Sequence, residues 1–198
     1  GGDGGGWFPW LEQGREEGEN PRASVLIGGE DGAPGSVVMG VWEGTRPMLV
    51  EIQALVDMAQ GGYPRRVAVG LDQNRLAMLL AVLHRHGGMH VSDQDVFVNV
   101  VGGVKVNETS ADLALLAAIV SSFRDRALPQ DLVIFGEVGL SGEIRPVPSG
   151  QERIYEAAKH GFTRALVPKS NAPRKAIDGM KVIPVTKLSD ALTALEDL

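Results

Sequence analysis

Hydrophobic and polar positions switch between two periods along this chain, and each switch marks an element. Residues 36–42 and 47–56 are β-branched apolar runs separated by the polar Glu43-Gly44-Thr45-Arg46, which predicts two strands joined by a tight turn. Residues 64–70 form another short extended segment. Leu76, Leu79, Leu80 and Leu83 then recur at three- and four-residue spacing, predicting an amphipathic helix that Gly87-Gly88 closes. Asp72 or Asn74 is placed to cap its start. Residues 96–101 predict a strand that Gly102-Gly103 breaks. Residues 110–124 predict a helix that is apolar on nearly every side and therefore buried.

The C-terminal part repeats the alternation. Residues 132–135 predict a strand, and the glycines at 136, 139 and 142 a tight hairpin over 136–144. Ser149 is expected to cap a helix that runs to about His160 and ends at Gly161. Strands at 165–167 and 181–185, a short helix near 173–177 and a last helix from Ser189 complete the pattern. Strands interleaved with helices predict an α/β (α+β) domain over 24–198, with a first strand at 24–27. Residues 1–23 are rich in Gly and Glu and predict a linker, the leading glycines being an expression remnant. Their Trp7-Phe8-Pro9-Trp10 cluster could cover an apolar patch.

Composition narrows the function. The chain has 198 residues, 43% hydrophobic and 22% charged, the make-up of an ordinary globular domain. Its longest apolar run, 113–120, is far shorter than the about 20 residues that cross a bilayer, so no membrane role is expected. Without cysteine it can form no disulfide and no thiolate nucleophile or zinc site, which fits the cytoplasm. No Gly-x-x-x-x-Gly-Lys-Ser/Thr occurs, so neither ATP nor a metal is expected in this chain.

The net charge of −6 is unevenly spread. Residues 1–60 carry ten acidic and three basic side chains, whereas residues 145–187 carry nine basic and three acidic. Arg65, Arg66, Arg145, Arg153, Lys159, Arg164, Lys169, Arg174 and Lys175 are the candidates for contact with an anionic partner such as DNA. The only aromatics among them are Tyr155 and Phe162, so backbone contact is expected and base stacking is not. A solvated, functionless face fits the same pattern.

The candidate nucleophile is Ser110, in Asn107-Glu108-Thr109-Ser110-Ala111-Asp112 at the mouth of the buried helix. Amides at a helix start can hold an oxyanion, but a serine needs a base to take its proton. Spacing alone favours a simpler role, Thr109 or Ser110 as helix N-cap. Lys105 is the one lysine near enough in sequence to act as base. His84 and His86 stand two apart on a helix and do not share a face, and His90 would need a loop to join them. They are expected to serve the helix C-terminal dipole.

Ser110-Ala111 opening an apolar helix, followed by Gly136-Glu137 and a second helix, resembles the proteolytic domain of Lon proteases, whose fold is like domain 2 of ribosomal protein S5. That resemblance places Ser110 at the nucleophile and Gln151 where the family has its catalytic lysine. A neutral amide cannot accept a proton, and Lys159, eight residues on, lies about 12 Å further along the helix. Glu108 and Asp112, where Lon has glycines, add negative charge that disfavours an oxyanion. The longer blocks Trp42-Glu43-Gly44-Thr45-Arg46-Pro47, Gly70-Leu71-Asp72-Gln73-Asn74-Arg75 and Asn99-Val100-Val101-Gly102-Gly103 resemble the Lon-like C-terminal domain of the bacterial RadA (Sms) family of DNA repair ATPases. So do Glu108-Thr109-Ser110-Ala111-Asp112-Leu113 and Gly136-Glu137-Val138-Gly139-Leu140. The resemblance implies a non-catalytic pseudo-protease scaffold that assembles a homo-hexamer and helps hold DNA, alongside recombination proteins. It also implies ATP, Mg and Zn sites in other domains of such proteins, which drive branch migration. A serine peptidase using Ser110 with Lys105, and an assembly module without DNA contact, are the alternatives.

Overall fold

The computed structural model describes residues 32–198. The expected strand at 24–27 and the Trp7–Trp10 cluster lie outside the described residues. The hairpin appears as read: β1 (Ser36–Glu43) and β2 (Arg46–Met58) pair antiparallel from Ser36↔Gln53 to Glu43↔Arg46. β3 (Arg66–Val69) and β4 (Gln94–Val100) flank the leucine helix α1 (Gln73–Gly87). Asp72 caps that helix, accepting from the Asn74 amide at 3.1 Å, and Gly88 ends it at φ 67°. The buried helix α2 (Asp112–Arg124) follows a single 3-10 turn over Thr109–Ala111.

β5 (Leu132–Ile134) precedes the small hairpin of β6 (Glu137–Val138) and β7 (Ile144–Arg145). Helix α3 (Gly150–Lys159), β8 (Arg164–Pro168), β9 (Lys181–Val185) and α4 (Leu188–Glu196) complete the chain. Two local expectations fail. Ser149 sits before α3 in the left-handed region, φ 58°, and makes no side-chain cap. Residues 173–177 form no helix, and the only helical turn in that connection is the 3-10 turn Lys169–Asn171. Pro173 removes an amide there, and the two side-chain bonds of Asn171 to Val147 (2.8 and 3.0 Å) fix the turn ahead of it.

Seven strands form one sheet in the order β3-β4-β2-β1-β5-β8-β9, with parallel pairs outnumbering antiparallel ones. The α/β expectation holds. α2 packs across β1 and β2, and every residue from Asp112 to Ser121 is buried. On the other face α3 crosses the same two strands at Gly40, where an added Cβ would stand 3.3 Å from the Arg153 Cβ. Further along that face, beyond α3, Leu55, Val67 and Val69 are exposed. α2 and α3 therefore meet the sheet from opposite sides near Ser110, and both present their first turns there.

Candidate functional site

The site grows out of the loop between β4 and α2. Gly70 lets that loop come close: the Val106 amide donates to the Gly70 carbonyl at 2.7 Å, and a Cβ at Gly70 would lie 2.6 Å from the Val104 carbonyl oxygen. Its φ of 86° also suits glycine alone. Val104 and Val106 bury their side chains, so Lys105 and Asn107 point outward and Glu108 turns in. The chain then enters the 3-10 turn that carries Ser110, which is 2% exposed.

Neither Thr109 nor Ser110 caps a helix here, since no side-chain cap bond is made at the 3-10 turn or at α2. The Ser110 hydroxyl instead donates to Glu108 Oε1. The same oxygen receives an Arg153 guanidinium nitrogen at 2.8 Å. Arg153 is itself 3% exposed and donates to the Gly40 carbonyl at 2.6 Å and the Pro148 carbonyl at 3.1 Å. Its guanidinium carbon lies 5.9 Å from the centre of the Phe135 ring. Serine, carboxylate and guanidinium thus form a closed chain anchored on three backbone segments.

The second acid of the motif, Asp112, is 2% exposed and faces the other way. Arg75 Nε donates to Asp112 Oδ1 at 3.0 Å and a terminal guanidinium nitrogen pairs with Oδ2, a bidentate fork. The Val138 amide adds a bond to Oδ2 at 3.0 Å. Burial pushes the Asp112 carboxyl up while Arg75 and the Val138 amide pull it down. The bond to Asp112 holds Arg75 firmly in its charged form.

Backbone donors at the helix mouth are committed too. The Ala111 amide donates to the Glu108 carbonyl (3.3 Å) and the Leu113 amide to the Gly136 carbonyl (3.0 Å). The Asp112 amide donates to the Thr109 carbonyl. These three amides are therefore not free to hold an oxyanion. Two clefts flank Glu108: one of about 330 Å³ lined by Leu71, Arg75, Asn107, Thr109 and Leu115, and one of about 240 Å³ lined by Trp42, Met48, Val50 and Lys105. Trp42 Nε1 is buried without a partner among the described residues. Lys105 is exposed and makes no bond to Ser110, and Gln151 is exposed on the outer side of α3.

The nine basic candidates divide into structural and free groups. Arg153, expected among phosphate contacts, is buried in the site and engaged at each of its donors described above. Arg65 stacks over Phe97 at 5.1 Å and pairs with Asp95 at 3.1 Å, and its amide bond to that carboxylate lowers the Asp95 pKa. Arg66 donates to the Gln94 and Val91 carbonyls. Arg164 grips Asp131 at 2.9 and 2.7 Å. Arg145 lies 3.4 Å from Glu143 and 3.9 Å from Glu137, and Lys159 lies 4.0 Å from Glu156. Lys169, Arg174 and Lys175 are exposed on the connection from β8 to β9, with no ion pair among the described residues. Sequence reasoning listed all nine alike and did not see Arg153 as part of the serine site. The signal was present: Gly150, Arg153, Ile154 and Ala157 recur at helical spacing and are the buried side of α3.

The model of a family described as subunit ChlI of Mg-chelatase matches residues 58–171, more than half of the chain. The chain belongs to that family. It is also 70% identical over 193 residues to DNA repair protein RadA of Escherichia coli, a match covering 98% of this chain and 42% of that protein. The RadA proteins of Aquifex aeolicus and Bacillus subtilis are 48% and 43% identical, over 95% and 94% of this chain. The match falls on the C-terminal part of RadA, so the RadA resemblance read from the motifs holds. The chain spans about two fifths of the length of these curated relatives.

Proposed function

We propose that this domain is a non-catalytic scaffold with the Lon-like arrangement, serving a DNA repair protein of the RadA type. The observation that carries the reading is the fate of Ser110: its hydroxyl hydrogen is donated to a carboxylate already bound by a buried arginine. A serine–lysine hydrolase needs a neutral amine at that place and free amide donors beside it. The alternative base, Lys105, is exposed and makes no bond to the serine.

In this proposal the domain assembles with copies of itself into a hexameric ring and contacts DNA through the backbone. The phosphate contacts come from Lys169, Arg174 and Lys175, three exposed cations on one connection without counter-ions among the described residues. Each alone is weak, but copies in a ring multiply such contacts. ATP hydrolysis with Mg, and a Zn site, belong to other domains of the whole protein, which acts in the cytoplasm with recombination proteins on branched DNA. No helix among the described residues is long and apolar enough to cross a membrane.

Two measurements test the reading. A fluorophosphonate probe is expected to leave Ser110 unlabelled, and labelling that disappears in Ser110→Ala would sink it. Reversing Lys169, Arg174 and Lys175 to Glu is expected to weaken DNA retention and flatten its logarithmic salt slope by about 3. Unchanged retention and slope would leave an assembly module without DNA contact.

A further inference from the structure

Among the described residues, one stretch of the sheet has no layer over it. α3 covers β1 and β2 around Gly40, and the same face beyond it carries Gln53, Leu55, Phe97, Asn99, Val67 and Val69. The register sets these side chains on one side: Gln53 pairs with Asn99, Leu55 with Phe97, and Val67 and Val69 stand beside Phe97 and Asn99. They floor a groove of about 420 Å³. The opposite face buries Ala54, Val96 and Val98, so a solvated face here would carry polar side chains. Instead Leu55 is 58% exposed and Val69 54%.

Strand addition at the edge is closed. β3 ends the sheet, and the Gln73 side chain occupies its outer backbone groups. Gln73 Oε1 accepts from the Ala68 amide at 3.1 Å, and Nε2 donates to the Arg66 carbonyl. An occupant of the groove therefore lies across the face and not beside it.

The chain itself supplies one. Gly35 is pinned on both sides, its amide donating to Ser121 Oγ at 2.9 Å and its carbonyl accepting from the Ala54 amide at 2.8 Å. Ahead of this anchor, Ala33 and Pro34 form part of the groove wall. The nearest apolar residues before them are Val25, Leu26 and Ile27, in the stretch that the sequence reads as a strand. The five residues 28–32 reach up to about 17 Å, and β2 and β3 stand only about 10 Å apart across β4. We propose that residues 24–27 lie in this groove, with Val25 and Ile27 seated on Leu55, Val67 and Val69. Alternate residues of an extended segment share a side, which brings both to the apolar floor. The exposed Asn99 amide, which makes no side-chain bond among the described residues, is placed to bond their backbone. Tethering holds the segment at an effective concentration of about a millimolar, an advantage no separate partner shares.

The test uses the whole chain, with labelled Ile, Leu and Val methyl groups and limited trypsin cleavage after Arg22. Ile27 methyls are expected to cross-relax with those of Val67 and Val69. Leu55→Ser and Val69→Ser each speed cleavage at Arg22 by about fivefold, because the released population grows. Phe123→Ser, at an exposed apolar position on α2, does not. Unmoved Ile134 and Leu166 methyl signals verify that the variants stay folded, since both residues are fully buried. Absence of Ile27 contacts with the groove, or cleavage of Val69→Ser within twofold of the parent, overturns the proposal. Contacts found only between differently labelled chains would assign the groove to a second copy, and contacts from Trp7 or Trp10 to the aromatic cluster; either overturns it too. None of these outcomes bears on the scaffold reading, which rests on Ser110.

Discussion

Glu108 and Asp112 flank the same serine, and the fold treats them differently. Asp112 meets Arg75 in a two-pronged fork with a backbone amide added, all at the start of α2. Glu108 meets Arg153 through one oxygen, and that oxygen also takes the serine proton donor. The Asp112 pair ties helix to helix and to the small hairpin. The Glu108 pair ties the serine turn to α3 and, through Gly40, to the middle of the sheet. Removing an arginine should therefore hurt in proportion to how enclosed that arginine is, because its buried volume and its bonds go with it: 4% of the Arg153 side chain is exposed against 27% for Arg75.

The largest effect is expected from Arg153→Ala. It removes a buried side chain, leaves the Gly40 and Pro148 carbonyls without their donor and unpairs Glu108, at a cost of about 3–5 kcal/mol, so the melting temperature should fall by many degrees. Combining Glu108→Gln with Arg153→Met should recover part of that loss, because no unpaired charge remains. If Arg153→Ala melted like the parent, the enclosed chain of bonds would have no energetic standing. Asp112→Asn comes next, at about 2 kcal/mol, because the amide keeps one acceptor oxygen and turns an NH2 toward the donors of Arg75 or Val138; chemical denaturation measures both.

A third pair extends the series toward solvent. Asp131 is pulled to about 2: burial opposes its charge, but bonds from Arg164 and Thr163 outweigh that. Above about pH 5 this carboxylate is ionised whether folded or not, and the pair contributes in full. As pH falls through about 2 the contribution is lost, so parent and Asp131→Asn should converge in stability there. Screening limits the neutral-pH cost to about 1 kcal/mol. Gln151→Lys should do least. It lies on the exposed side of α3, so stability should change by about 0.5 kcal/mol or less and no peptide should be turned over.

Much of this was legible in the chain. The leucine spacing of α1, the turn between β1 and β2 and the buried character of α2 all follow from local periodicity, and local periodicity is what the sequence states most plainly. Ser110 at a helix mouth was legible too. Its true partner was not. Glu108 was read as a charge that disfavours an oxyanion, and Arg153 as a surface cation, because sequence does not say which charges are enclosed. Register along α3 decides that: position 151 falls outward and 153 inward. The approach of His84 to His90, with Nδ1 atoms 3.1 Å apart, was hidden for a related reason, since it depends on how the chain turns after Gly87.

Under the scaffold proposal, the triple anchorage of Arg153 acts as a ratchet. Installing an amine beside Ser110 means first vacating space held by a guanidinium that supports Gly40, Pro148 and Glu108 together. Losing Glu108 first strands the Arg153 charge in the interior, and losing Arg153 first leaves the Gly40 and Pro148 carbonyls without their donor. A lineage that has once closed this lock can reopen it only by several coordinated changes, whereas drift at the outward-facing position 151 is free.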